Sequence, residues 1–328
     1  MMRKIMTTVV TVFVLGATAS APAQEALKVD PAIPTYQKTS GVSGNLNSIG
    51  SDTMNNLMTL WAEGFAKSYP SVRIQVEGKG SSTAPAALIG KTAQLGPMSR
   101  PMKSSEVDGF ETQFGYKPLA LRTALDSLAV YVNKDNPVES LSIPQLDAIF
   151  SKTRALGGKQ SIANWGQVGL SGEWATKPIS LYGRNSASGT YGFFKEHALG
   201  NGDYKDEVKE QPGSASVVQG VTEDVVGIGY SGIGYRTSGV NPIALAPKDG
   251  AAPISPTAAN VYNGTYPLSR FLFIYINKNP EKPLDPLVRE FLTYVFSREG
   301  QEIVIKDGYL PVPAAVAAEE LKKIRGAD

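Results

Sequence analysis

The segment Ile179-Ser180-Leu181-Tyr182-Gly183-Arg184-Asn185-Ser186-Ala187-Ser188-Gly189-Thr190 joins a short apolar run to a polar loop punctuated by glycine. Ile179–Tyr182 reads as a strand, and Tyr191–Leu199 beyond the loop reads as a helix. Glycine permits close approach of the backbone, and Ser and Thr supply hydroxyl donors. The following helix adds unpaired N–H groups and the positive end of its dipole, so the junction suits an anion. Two further junctions share the design. Ile49-Gly50-Ser51-Asp52-Thr53 precedes a helix beginning near Met54, and Gly78-Lys79-Gly80-Ser81-Ser82-Thr83 leads into Ala87 and Leu88. Ser, Thr and Asp cap helices of every kind, so one junction alone says only that a helix starts. Three on one chain, one carrying Arg184, point to a shared oxyanion.

Around these junctions, apolar runs alternate with amphipathic stretches, which argues for an α/β architecture with largely parallel sheets. Met54, Leu57, Met58, Trp61 and Phe65 lie on one helical face, while Arg73-Ile74-Gln75-Val76 alternates like a strand. Pro286 opens a late helix carrying Leu287, Val288, Phe291, Leu292, Val295 and Phe296. Ser127-Leu128-Ala129-Val130-Tyr131-Val132-Asn133-Lys134 is echoed by Phe271-Leu272-Phe273-Ile274-Tyr275-Ile276-Asn277-Lys278. Both are long apolar strands with similar exits, readable as two core strands or as strands crossing between two lobes.

The 328 residues include 33 Gly, 22 Pro, one His and no Cys, and leave room for two lobes. Without Cys there is no thiol nucleophile, disulfide framework or lipid-attachment cysteine, and one His cannot build a multi-His metal site. Lys+Arg of 32 against Asp+Glu of 30 is too balanced for nucleic-acid binding by bulk charge. Arg3 and Lys4, the apolar run Val9–Leu15 and Ala21-Pro22-Ala23 have the order of a secretory signal peptide, residues 1–23. Its removal takes away two basic residues and no acidic one, leaving 30 of each sign. The expected mature protein is soluble and unanchored, in the periplasm or also secreted. Residues 24–42 read as a lead-in arm.

Other motifs fail in context. Gly90-Lys91-Thr92 would need glycine where Pro85 stands to complete a phosphate-binding P-loop. Gly227-Ile228-Gly229-Tyr230-Ser231-Gly232 matches a dinucleotide fingerprint, yet no helix follows it. His197 is expected at a surface or helix end, and without a nucleophile-elbow motif a serine hydrolase is disfavoured. Pro212-Gly213-Ser214-Ala215-Ser216, before Val217, is a fourth loop–helix start and reads as structural.

The order Gly-Ser-Asp-Thr at 50–53, Gly-x-Gly-Ser-Ser at 78–82, Ser-Arg-Pro at 99–101 and Arg-x-x-x-Ser-Gly-Thr at 184–190 resembles the phosphate-binding protein of the Pst ABC transporter. The resemblance spans about Gly44 to Pro311, and the last motif is its most specific part. It implies a type II periplasmic-binding-protein fold: two lobes, each a mixed sheet flanked by helices, joined by two crossover strands. Lobe I would take 43–126 plus 272–328 and lobe II 127–271, with hinges near 127–133 and 269–276. It further implies a monomeric carrier, neither an enzyme nor a cofactor protein, that captures inorganic phosphate and delivers it to a membrane permease. Thr53, the N–H of Met54 and Ser81 would bind from the first lobe, and Arg184, Ser188, Gly189 and Thr190 from the second.

One departure is informative. The best-known branch has an acidic residue after the serine, where this chain has Ser99-Arg100. Arg100 would bring a second cation to the site, and the proton acceptor that separates hydrogen phosphate from sulfate must then lie elsewhere. Asp126 is the preferred replacement and Asp52 the alternative. Other readings are a receptor for sulfate or molybdate, an exported phosphate-ester hydrolase using Ser81 or Thr53, and a surface adhesion or signalling protein.

Overall fold

The computed structural model describes residues 27–325, so the expected leader lies outside the described residues. The chain opens with β1 (Gly44–Ile49), α1 (Asn55–Ser68), β2 (Val72–Glu77), α2 (Thr83–Ile89), β3 (Gly96–Met98), α3 (Ser104–Phe114) and the long β4 (Leu119–Asn133). An intervening segment follows: β5 (Ser140–Ser142), α4 (Ile143–Phe150), β6 (Ser180–Arg184), α5 (Gly189–Ala198), β7 (Lys209–Gln211), α6 (Ser214–Glu223), β8 (Gly227–Gly232), β9 (Val240–Pro242), β10 (Ala244–Ala246) and α7 (Ala258–Tyr262). The chain returns through β11 (Ser269–Ile276) to α8 (Pro286–Val295), α9 (Arg298–Lys306) and α10 (Ala314–Arg325).

One ladder runs through the molecule in the order β3-β11-β4-β8-β6-β7, with β9 also on β4. β4 makes this possible because it changes partner along its length. Residues Leu119–Ser127 pair antiparallel with β11, Leu128–Val132 with β8 and Tyr131–Asn133 with β9. From Thr123 onward every residue of β4 is buried, as expected of a strand covered on both faces. The sheets are mixed rather than largely parallel. β1 pairs in parallel with β2, and β6 with β7 and β8, whereas β4 runs antiparallel to β11 and β8, and β3 to β11. The echoed segments are not ladder partners, since the β4–β11 register starts at Ser269↔Ser127 and ends at Ile276↔Leu119. The polar positions Arg122, Thr123 and Asp126 hide the first half of β4 from a reading of apolar runs.

The expected helix at Met54 is α1, with Leu57, Met58, Trp61 and Phe65 buried along one stripe. The lead-in arm is stapled down over its described part. Ile33 is buried, Pro34 O accepts from the Arg298 N–H, and the hydroxyls of Tyr36 and Tyr69 lie 2.8 Å apart. The false dinucleotide motif at 227–232 is β8 itself, followed by a single 3-10 turn. His197 is exposed at the end of α5, stacked on Phe193.

Candidate oxyanion-binding site

Near the Asp126–Arg270 end of the β4–β11 ladder, four loop–helix junctions meet. Gly50-Ser51 leaves β1 and turns through a 3-10 turn, Asp52–Met54, into α1. Ser81 precedes α2 and Ser188 caps α5, its Oγ accepting from the N–H groups of Thr190 and Tyr191 at 3.1 and 3.4 Å. The fourth, Ser214, opens α6. This start, expected to be only structural, belongs to the cluster: Arg184 Nη1 donates to Ser214 Oγ at 2.7 Å.

The flanking and intervening segments touch directly at these junctions. Thr53 and Thr190 bring their hydroxyls to 2.8 Å, and Ser82 N–H donates to Ala187 O at 3.1 Å. Ser214 N–H donates to Asp52 Oδ1 at 2.7 Å, and Tyr235 OH donates to Asp52 O at 2.9 Å. Glycine is required at two of these contacts. Gly80 has φ +110, and a Cβ there would lie 2.5 Å from Ala187 O; a Cβ at Gly189 would overlap Ser81 Oγ.

Arg184 is 1% exposed, and its guanidinium is held from three sides. Besides Ser214, Nη2 reaches Pro212 O and Asp52 Oδ1, each at 3.1 Å. Nε is buried with no hydrogen-bond partner among the described residues. Burial pushes the Arg184 pKa below the ordinary guanidinium value, and the nearby Asp52 carboxylate opposes that shift. A buried cation with one N–H left over has the chemistry to take an anion.

Of the expected residues, Thr53, Ser81, Ser99, Arg184, Ser188, Gly189 and Thr190 come together, and each is buried. Three expectations need correction. The Met54 N–H donates to Ser51 O inside the 3-10 turn, so the turn's own closure occupies it. Arg100 reaches the junctions only through Nη2 to Ser82 Oγ at 3.3 Å, and its charge is already paired: Nη1 and Nη2 form a bidentate pair with Glu106, both bonds 2.7 Å. Asp126 is buried, but both of its oxygens are engaged, Oδ2 by Arg270 and Oδ1 by the Ile233 N–H.

Arg270 is the residue that sequence reading missed. It is the one charged residue of β11 and is buried. Nε donates to Asp126 Oδ2 at 2.8 Å, Nη1 to Ser99 O at 2.9 Å and Nη2 to Thr190 Oγ1 at 3.0 Å. An arginine inside an apolar strand was the available signal, because such a charge must find partners.

The hydroxyls share one polarity. Ser81 accepts from Ser99 N–H, Ser188 from the α5 amides, Ser214 from Arg184 and Thr190 from Arg270. A hydroxyl that accepts from a fixed donor keeps its own proton to give to another group. The cluster therefore presents donors, as an oxyanion requires.

A family model described as a PBP superfamily domain matches residues 18–299, which defines the class as a binding-protein fold. The chain is 57% identical over 312 residues to the phosphate-binding protein PstS of Pseudomonas aeruginosa, covering 95% of this chain and 96% of that protein. With more than half of its residues shared along nearly its whole length, the chain belongs to the PstS phosphate-binding protein family. Solved structures match the fold, two of them at 26% identity. A putative phosphate ABC transporter substrate-binding protein with bound phosphate from Clostridium perfringens is 26% identical with a TM-score of 0.69, over 82% of this chain and all of that one. A possible phosphate-binding protein from Planctomyces limnophilus is 26% identical with a TM-score of 0.63, over 87% of this chain and 98% of that one.

Proposed function

We propose that this chain is a periplasmic receptor that closes on one inorganic phosphate and delivers it to the permease of a phosphate ABC transporter. The observation that carries the reading is the Nε–H of Arg184, buried with no partner among the described residues on a guanidinium held by Ser214 Oγ, Pro212 O and Asp52. Thr53, Ser81, Ser99, Ser188, Gly189 and Thr190 supply the surrounding donors, and Arg184 the charge. A micromolar site needs about −8 kcal/mol, within reach of a few charge-assisted bonds of roughly 1.5–3 kcal/mol each after costs. The proton of hydrogen phosphate goes to Asp52 rather than Asp126. This assignment is supported by the engagement of both Asp126 oxygens, while Asp52 Oδ1 alone takes the Ser214 N–H and the Arg184 contact.

In this reading lobe I takes 43–126 with 272–328 and lobe II 127–271, and the chain acts as a monomer. Support for the hinge comes from the partner switch of β4 between Ser127 and Leu128, beside the start of β11. Export rests on the leader-like residues 1–23, and no helix of the described residues is long and apolar enough to cross a membrane. Relatives named as binding proteins do not favour the hydrolase alternative.

Calorimetry and thermal shift with phosphate, arsenate, sulfate and molybdate test the reading. The wild-type protein should respond to phosphate, with or without arsenate. Arg184→Ala should nearly abolish that binding while the circular dichroism spectrum stays that of the folded chain. Unchanged phosphate affinity in the variant would sink the site assignment.

A further inference from the structure

Arg270 stands on the strand that returns the chain from the intervening segment, and its guanidinium touches both sides of the junction. On the flanking side it is seated on Asp126 (2.8 Å through Nε, 2.7 Å through Nη2) and on Ser99 O. Across the junction Nη2 reaches Thr190 Oγ1, and the guanidinium carbon lies 5.3 Å from the centre of the Phe193 ring, on α5. Arg270 and Asp126 are both buried, so this ion pair is shielded from water and from salt.

We propose that Arg270, seated by Asp126, is a positioning residue that sets the hydrogen-bond polarity of Thr190 and so the strength of oxyanion capture. A guanidinium only donates, so Thr190 Oγ1 is an acceptor toward Arg270. Thr190 and Thr53 lie 2.8 Å apart and share one proton between their two oxygens. Whichever of the two donates, one hydroxyl proton of the pair remains to be given to a third group. With Arg270 behind it, that proton is polarised outward as a donor, and a tetrahedral oxyanion is the ligand that accepts it. Without Arg270 the threonine pair can rotate to accept instead, and the junction loses its tie between β11 and α5. The inference rests on the phosphate reading above and concerns a residue that reading does not use.

The test is a double-mutant cycle in phosphate affinity, measured by calorimetry on the purified protein with Arg270→Gln, Thr190→Val and both together. Arg270→Gln should weaken phosphate binding about tenfold or more, the scale of one charge-assisted hydrogen bond. In the Thr190→Val background the same change should cost less than about threefold, because the group it acts through is gone. A purely structural arginine would lower the melting temperature equally in both backgrounds and leave the two affinity losses independent, and that result would overturn the inference. Removing one member of a buried ion pair leaves the other unpaired. If Arg270→Gln does not fold, the neutral pair Arg270→Gln with Asp126→Asn carries the test: it should fold and stay weak. Wild-type affinity in that pair variant would overturn the inference. Absence of phosphate binding by the wild-type protein would instead overturn the underlying reading.

Discussion

Arg184 and Arg270 are buried guanidinium groups, each leaning on one aspartate, Asp52 and Asp126 respectively. The two pairs differ in what they leave over. Arg184 keeps an N–H without a partner among the described residues, whereas Arg270 is held by Asp126, Ser99 and Thr190. Among the carboxylates the contrast runs the same way, since Asp126 is enclosed and the Asp52 side chain is 22% exposed. Replacing the proton acceptor by an amide removes the like-charge repulsion that rejects a fully ionised anion. Asp52→Asn should therefore lower the preference for phosphate over sulfate by about tenfold or more, the scale of a buried polar mismatch. Asp126→Asn should weaken both anions alike, because it unseats Arg270. Competition calorimetry separates the two, and a selectivity loss confined to Asp126→Asn would reverse the assignment.

The helices act through their first turns. α5 begins at the junction with its cap, Ser188, accepting two backbone N–H groups. Ser188→Ala should cost about 1 kcal/mol in unfolding free energy, the usual worth of a cap, and should weaken phosphate binding as well. A denaturant titration and a calorimetric titration together check both effects; unchanged affinity would restrict Ser188 to capping. At the preceding loop, Gly80 combines a left-handed φ with close approach to Ala187. Gly80→Ala would wedge the junction apart, since an alanine there is strained and its Cβ would press on a carbonyl. The expected result is at least about a tenfold loss of phosphate affinity, by analogy with other positional errors at binding sites. Small-angle scattering with phosphate should show a larger radius of gyration than wild type.

At the scale of the whole molecule, one group that couples pH to stability is Asp307, whose Oδ2 is buried at the end of α9 with no partner among the described residues. Burial pushes its carboxyl up from 3.8 to about 7. The folded protein thus holds this proton more tightly than the unfolded chain does. The group leaves stability intact below about pH 4 and costs stability progressively as pH rises through about 7. Asp307→Asn should remove that loss, so wild type should fall further in melting temperature than the variant between about pH 5 and pH 8. Equal falls would show that the carboxyl is solvated in the folded protein.

Much of the site was legible in the residue order because its pieces are local. Gly50–Thr53, Gly78–Thr83 and Gly183–Thr190 each carry loop, hydroxyls and helix start within a few residues, and each lies where its spacing predicts. Ser214 was legible too, since Pro-Gly-Ser-x-Ser has the same form, but nothing local linked it to Arg184. Arg270 and the first half of β4 were obscured for a related reason. A charge within an apolar strand and polar residues before one look like interruptions until their partners are known.

The sequence by itself determined the α/β alternation, the helix starts, the hydroxyls placed at them and the arginine that stands between them, because these depend on period, propensity and neighbouring residues. Only the tertiary structure decided which groups remained free to bind. Arg100 pairs with Glu106, Asp126 with Arg270, and the Met54 N–H with Ser51, so these three expected ligand groups already have partners. The physical reason is that a buried charge or N–H must be satisfied by whatever the fold brings near it. Satisfaction across 144 residues, as between Arg270 and Asp126, is set by packing and cannot be read from spacing.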